Sequence, residues 1–125
     1  MNYENIIRAN VTTDDFRVSK KFVADQVLAE IRRGDVLVFQ YEDTLWLVDK
    51  EGEMPEIHFY TMGLGHSLRK YYNSFMRDLW NKTSHKIVYA RTKNENIARF
   101  LELFDWAPMG IDQNGYAVYS AKRSS

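Results

Sequence analysis

The clearest candidate for chemistry in this sequence is a pair of glycines, Gly63 and Gly65, between an apolar segment and a helical pattern. Glycines let a backbone approach a ligand closely, and the free N–H groups at the start of a helix attract an anion such as phosphate. The same pair can serve only to make a tight connection, and taken alone it favours that simpler explanation. No Gly-Lys-Ser/Thr follows, so this is not a Walker loop, and the third glycine of the dinucleotide-binding fingerprint is missing.

Histidines are the second kind of candidate. His66, beside the glycines, is placed either to touch a phosphate or to lie solvated in the loop. Together with His58 and His85 it shows no metal-ligand spacing, and the chain contains no cysteine. We therefore expect no metal site.

The composition disfavours several classes of protein. The 125 residues include 17 Lys plus Arg and 17 Asp plus Glu, and the resulting net charge of zero argues against nucleic acid as a partner. The longest apolar runs, 36–39 and 45–48, are far shorter than the ~20 residues that span a membrane. The first ten residues contain no basic stretch followed by an apolar one, so we expect no secretory signal, no membrane partner and a cytoplasmic location.

The periodicity of the apolar residues places these candidates on ten elements of a single predicted domain, residues 1–125. In chain order these are a strand over 5–11, a helix over 20–33, a hairpin of strands 36–41 and 45–49, a strand over 57–61, a helix from Ser67 to Trp80, a strand over 86–90, a helix opened by Asn94, and a hairpin of strands 106–111 and 116–121. The order predicts an α+β fold, a mixed β-sheet of about seven strands flanked by three main helices. Strands 57–61 and 86–90 should be parallel, because a helix connects them.

This order of elements resembles that of the GNAT superfamily of acetyl-CoA-dependent N-acetyltransferases over nearly the whole chain. Residues 60–65, Tyr-Thr-Met-Gly-Leu-Gly, are similar to the family's Q/R-x-x-G-x-G/A loop, with Tyr60 where Gln or Arg is usual. Residues 90–106 look like the family pattern N-x-x-S/A-x-R-F-L-x-x-x-G-F, with Asp105 and Trp106 in place of Gly-Phe. The second match is the more specific of the two.

The resemblance implies that the chain binds acetyl-CoA as co-substrate and transfers the acetyl group to an unidentified amine. Loop amides would hold the pyrophosphate, and the pantetheine arm would enter between strands 57–61 and 86–90, which diverge at their C-terminal ends. The cofactor-binding residues it implies are Tyr60, Met62, Gly63, Leu64, Gly65, His66, Ser67 and Asn94. Glu56 and His58 lie near the place where the family often has a general base.

The general acid departs from the family pattern. Many family enzymes carry a tyrosine that protonates the departing thiolate, and alignment through Trp106 places Leu101 at that position. Leu101 either borders the cofactor cleft or belongs to the core of its helix. Tyr119 on the last hairpin is a candidate replacement acid, and nothing in the sequence selects it over Tyr116.

The chain is also similar to small phage-encoded GNAT-like proteins, among them internal virion and head-assembly proteins of short-tailed phages. These proteins combine the fold with an altered motif, as this chain does. The resemblance therefore implies an alternative to the enzyme, a non-catalytic component of phage assembly. Its partners would be virion proteins, and its location would be the host cytoplasm or the virion.

Overall fold

The computed structural model describes residues 2–13, 17–63 and 65–124, and it begins with a helix where the sequence analysis predicts a strand. Helix α1 spans Tyr3–Asn10, and the side chain of Asn2 caps it by accepting a hydrogen bond from the Glu4 N–H. The predicted strand over 5–11 is therefore wrong. Ile6, Ile7 and Val11 are buried. Ile7 and Val11 are four residues apart, so the buried positions follow the spacing of a helix and not the alternation of a strand.

Helix α2 spans Lys20–Arg33, as the periodicity predicts. Ser19 caps its start by accepting from the Phe22 N–H, and Gly34 ends it in the left-handed conformation with φ of 80°. The apolar faces of α1 and α2 lie against strand β2 in a small core with Leu45 and Leu47.

The first sheet contains three antiparallel strands in the order β1-β2-β3, namely β1 Val36–Tyr41, β2 Thr44–Asp49 and β3 Ile57–Thr61. In the β2–β3 register Trp46 lies opposite Phe59 and Leu45 opposite Tyr60. Residues of β2 are buried on both faces because α1 and α2 cover one side and helix α3, Gly65–Lys82, covers the other.

The second sheet is also antiparallel and has the order β4-β6-β5. Its strands are β4 Ile87–Thr92, β5 Ala107–Ile111 and β6 Ala117–Lys122. Helix α4, Glu95–Leu103, follows β4 and packs with α3 over a core that includes Phe75 and Phe100.

The two sheets meet where β3 and β4 begin. Glu56 and Tyr89 form a single parallel bridge, and the Tyr89 N–H donates to the Pro55 carbonyl at 2.9 Å. The bridge is parallel, as predicted for these two strands, and the architecture is α+β. The strands nevertheless belong to two three-stranded antiparallel sheets, where one mixed sheet is predicted. Across the described ranges the protein has six strands and four helices where about seven strands and three main helices are predicted. The first element accounts for both differences.

Candidate functional site

An opening lies between β3 and β4 beyond their single bridge. The Met62 N–H donates to the Asp43 carbonyl on the β2 side at 3.0 Å. Backbone groups alternate in direction along a strand, so those of Phe59 and Thr61 point to the other edge of β3, toward β4. On the facing strand, Tyr89 bonds to the β3 side, and by the same alternation Arg91 directs its backbone groups into the opening. The opening is therefore edged by main-chain donors and acceptors of both strands.

This opening forms a cleft of about 440 Å³, which we call the gap cleft. Its walls include Phe59, Tyr60 and Thr61 of β3, and Arg91 of β4. Asn94, at the start of α4, also lines it. The cleft thus lies at the carboxyl ends of two parallel strands, the place where ligands bind in many open sheets with parallel strands.

A second cavity, of about 680 Å³, lies next to the gap cleft on the side of α3 and α4, and we call it the helix-side cavity. Thr61, Leu68, Asn94 and Ile97 line both cavities, so the two spaces adjoin. Arg69 of α3 and Arg99 of α4 line the helix-side cavity, and no acidic residue of the described chain is among its walls. This cavity suits an anionic ligand, because arginine forms strong charge-assisted hydrogen bonds to phosphate.

The glycine connection leads from β3 to α3. A Cβ atom on Gly63 would lie 2.3 Å from the Ser67 Oγ and 2.8 Å from the Asp43 Oδ2. The Gly63 N–H itself donates to the Thr61 Oγ1 at 3.0 Å. Packing alone therefore explains the glycine at position 63, as the tight-connection alternative expects.

Other predicted loop residues differ in exposure. Met62 is exposed, and its sulfur accepts a hydrogen bond from the Asn10 side chain. Leu64 lies outside the described residues, and Gly65 is the first residue of α3. His66 is exposed in the first turn of the helix, whereas Ser67 is buried.

Asn94 positions the start of α4 beside both cavities. Its Oδ1 accepts from the N–H groups of Asn96 and Ile97 at 2.8 and 3.3 Å, which is the N-cap geometry the sequence predicts. Its own N–H donates to the Thr92 Oγ1 at 2.9 Å. These bonds tie the end of β4 to the helix and fix the wall of the cleft.

Tyr60 lies in the gap cleft on the face toward α1 and α2. Its ring packs against their apolar residues, and burial raises the pKa of its phenol, with a smaller contribution from the Glu30 carboxylate. It therefore lines the side of the opening away from the two arginines of the helix-side cavity.

Glu56 lies in a third cavity, of about 370 Å³, at the β5–β6 turn, which we call the hairpin pocket. Its carboxylate accepts hydrogen bonds from the Nε and Nη2 of Arg91. The Arg91 Nη1 lies 3.4 Å from the Asp112 Oδ2. Arg91 also lines the gap cleft, so this side chain borders both spaces.

The remaining catalytic candidates lie elsewhere. His58 is exposed on β3 and lines none of these three cavities. The Tyr119 hydroxyl donates to the Glu102 Oε1 at 2.9 Å, and this bond, with burial, raises the pKa of the tyrosine. Tyr119 also lines none of the three cavities, and Leu101 is fully buried in the core.

Sequence reasoning brings only part of this arrangement together. Tyr60 and Asn94 share the gap cleft, and Glu56 adjoins it through Arg91. No role was predicted for Arg91, Arg99 or Asp112. Arg91 and Arg99 lie in the stretch 90–106 that carries the family resemblance, and Asp112 opens the Asp-Gln-Asn-Gly turn.

The described residues contain no group of three or more His, Cys, Asp or Glu side chains that could hold a metal ion. No helix within these ranges is both long and apolar enough to cross a membrane.

No protein-family model and no curated protein sequence matches the chain. Solved structures do match it. YncA of Salmonella typhimurium, assigned as an acetyltransferase and solved with its cofactor acetyl-CoA, superimposes with a TM-score of 0.64 at 13% identity, covering 98% of this chain and 87% of that chain. An N-acetyltransferase from Staphylococcus aureus Mu50 gives a TM-score of 0.62 at 11% identity, with 96% and 91% covered.

A third match is the microcin C7 self-immunity acetyltransferase MccE, solved with acetyl-CoA and AMP. Its TM-score is 0.62 at 10% identity, with 96% of this chain and 81% of that chain covered. Identities this low carry information about the fold alone, and all three structures agree on it. The chain therefore has the fold of the GNAT N-acetyltransferases.

Proposed function

We propose that this protein binds acetyl-CoA in the gap cleft and the helix-side cavity and transfers the acetyl group to an amine. One observation carries the proposal: β3 and β4 meet at a single parallel bridge and then leave the backbone edges of Phe59, Thr61 and Arg91 facing a cleft, and the cavity next to this cleft is lined by two arginines. The solved structures with this fold support it, since two of them hold acetyl-CoA.

The charges of the two cavities suit the ends of this ligand. The phosphates of coenzyme A are strongly anionic, and Arg69 and Arg99 provide two exposed guanidinium groups in the helix-side cavity. The amino end of α3, which begins at Gly65, adds the partial positive charge of a helix start. The pantetheine arm contains amide groups, and the unpaired strand edges offer matching donors and acceptors.

The Asp43 carboxylate opposes the phosphates at this end. Its Oδ2 lies 2.8 Å from where a Gly63 Cβ would stand, so a negative charge borders the glycine connection. We therefore expect Asp43→Asn to tighten coenzyme A binding, because repulsion between like charges is removed without a change of shape. Weaker binding in this variant would place the phosphates elsewhere.

The reaction requires that the amine lose its proton before its nitrogen attacks. Acetyl-CoA supplies an activated acetyl group. A C–N bond forms at its carbonyl carbon as the C–S bond breaks. The departing thiolate then takes up a proton, and the nitrogen of the new amide gives up a proton. In this proposal, main-chain N–H groups of the β3 edge polarise the carbonyl, an effect that contributes strongly to acyl transfer. Glu56 is the carboxylate beside the cleft that can take the proton, once Arg91 moves off it.

The structure leads us to expect slow transfer. Leu101 is buried in the core and cannot donate a proton, and the Tyr119 hydroxyl is bonded to Glu102. General acid and base groups typically contribute ~10²–10⁴-fold to the rate. If the departing thiolate takes its proton from water, the reaction lacks the part of this rate factor that a general acid would contribute.

A thermal melt with millimolar coenzyme A tests the cofactor part of the proposal. A ligand that binds the native state raises the melting temperature by mass action. We expect a clear rise for the wild type, and a smaller one for Arg99→Gln. The matched control is Arg32→Gln, which removes the same charge from an exposed position of α2 outside the three cavities.

Absence of any rise in the wild type would contradict the proposal. It would favour the alternative from the sequence, a phage assembly component, in the host cytoplasm or the virion, that uses the fold for packing against virion proteins. A rise that Arg99→Gln and Arg32→Gln reduce equally would indicate general attraction of an anion rather than a site in the helix-side cavity.

A further inference from the structure

The hairpin pocket is a separate space from the two cavities assigned to the cofactor. It lies at the start of β3, beside β4 and under the β5–β6 turn. Its walls combine apolar surface from Met54, Tyr89 and Val118 with the charged groups of Glu56, Arg91 and Asp112. Arg91 lines both this pocket and the gap cleft, so the pocket borders the opening between the strands at that side chain.

Charge is segregated among these three adjoining spaces. Among the described residues that line them, the helix-side cavity carries Arg69 and Arg99, and the gap cleft carries Arg91 and Lys93. Both acidic side chains of the walls lie in the hairpin pocket. A polyanion is therefore drawn to the helix-side cavity and a cation to the hairpin pocket.

The charged groups of the hairpin pocket carry one more negative charge than positive charges. Arg91 donates to Glu56 through Nε and Nη2, and its Nη1 contacts Asp112, so one guanidinium faces two carboxylates. The Asp112 Oδ1 is held by the N–H groups of Tyr116 and Asn114, at 3.0 and 2.9 Å. These backbone bonds, aided by Arg91, lower the pKa of Asp112, so this carboxylate is ionised at neutral pH.

We propose that the hairpin pocket takes the acceptor as a monocationic amine with a compact apolar group, and that Asp112 determines this specificity. An ammonium group offers three donors to the oxygens of Glu56 and Asp112 and neutralises the surplus charge. Met54 and Val118 contact the apolar part. An acceptor that also carries a carboxylate meets two like charges and is disfavoured. The identification of the ligand as an acceptor rests on the proposed function, whereas its binding can be measured without acetyl-CoA.

Three probes of one shape but different charge test the proposal on the full chain. They are 2-phenylethylammonium, the neutral 2-phenylethanol and the anionic 3-phenylpropionate, each titrated by ligand-observed NMR and calorimetry. We expect the cation to bind about ten-fold or more tightly than the alcohol, the ratio typical of a hydrogen bond to a charged group, and the anion to bind least. Equal affinity for the three probes, or preference for the anion, would overturn the proposal.

The variant Asp112→Asn tests whether the cation binds in the hairpin pocket. An asparagine keeps the oxygen that accepts from the turn N–H groups, so the hairpin is preserved while the charge is lost. We expect the affinity for the cation to fall about ten-fold and that for the alcohol to stay unchanged. Asp25→Asn is the matched control, because Asp25 is also an arginine-paired carboxylate but lies on α2, away from the pocket. Equal losses in both variants would show that the cation binds to no particular site.

The coenzyme A melt separates this proposal from the proposed function. Cation binding that depends on Asp112, in a protein that coenzyme A does not stabilise, would refute the acetyltransferase assignment and support the specificity of the pocket. Coenzyme A binding without preference for the cation would refute the pocket proposal alone. With acetyl-CoA present, turnover can be measured from the released thiol without interference from the protein, because the chain contains no cysteine. We expect Asp112→Asn to raise KM for the cationic amine more than it lowers kcat.

Discussion

Leu101 occupies the position at which the GNAT resemblance implies a tyrosine that protonates the departing thiolate. The sequence leaves two environments open for it, and the structure places the side chain in the core, fully buried with Phe100, Trp106 and Tyr119. Introducing the family's residue by Leu101→Tyr should therefore destabilise the protein instead of supplying a proton donor to the cleft.

The magnitude follows from the burial of this site. Forcing a larger side chain into a filled core costs ~1–3 kcal/mol, and burying a hydroxyl without a partner costs a further ~1–3 kcal/mol. The free energy of unfolding should thus fall by roughly 2–6 kcal/mol. For a chain of this length each 1 kcal/mol corresponds to about 4 °C in the melting temperature. Urea unfolding followed by tryptophan fluorescence measures the change.

Two further variants keep this prediction testable if Leu101→Tyr does not fold. Leu101→Met conserves the volume and should cost less than ~1.5 kcal/mol. Leu103→Tyr makes the same exchange two residues further along α4, at a side chain that is 57% exposed in the helix-side cavity, and should change stability by no more than ~0.5 kcal/mol. A Leu101→Tyr protein as stable as the Leu103→Tyr protein would contradict the burial of Leu101 and place position 101 at the cleft.

Three other predictions concern groups whose bonds are defined. Tyr72→Phe leaves the buried Nε1 of Trp106 without the hydroxyl that it now reaches at 2.7 Å, so urea unfolding should show a loss of ~1–3 kcal/mol, and a loss below ~0.5 kcal/mol would contradict this bond's importance. Asn94→Ala removes the cap of α4 and should cost ~1 kcal/mol; an unchanged melting temperature would argue against the cap. The pKa values of Asp25 and Asp112 are lowered in the folded protein, so their stabilisation is present above about pH 4 and is lost as the pH falls through the lower folded values. Urea titrations at pH 6 and pH 3 should therefore show a smaller acid-induced loss of stability in Asp25→Asn and Asp112→Asn than in the wild type, and an equal loss would contradict the lowered pKa values.

Much of the fold could be predicted because most elements bury one face of regular period. Strands 36–41 and 57–61 have the predicted bounds, and helix α2 does as well, since Ser19 and Gly34 mark its ends chemically. The first element was predicted wrongly because a segment of so few apolar residues fits a strand or a helix. Only the packing of Ile6 and Ile7 against β2 decides between them.

The candidate site was less predictable, because its walls come from segments that are distant along the chain. Tyr60 and Asn94 could be named from motifs that are continuous in sequence. The contact of Arg91 with Glu56 and Asp112 joins residues 35 and 21 positions apart, and it depends on the bridge between β3 and β4. No periodicity or local motif shows such a contact.

An amide-resolved NMR titration with coenzyme A tests the central claim, that the opening between β3 and β4 is a cofactor cleft, most directly. The ligand should perturb the backbone amides of Phe59, Thr61 and Arg91, whose strand edges face the gap cleft, together with amides at the start of α4. The amides of helix α2 should remain unchanged and serve as the internal reference. We expect saturable shifts confined to these positions. The absence of shifts at millimolar coenzyme A, or shifts centred on surfaces away from β3 and β4, would contradict it.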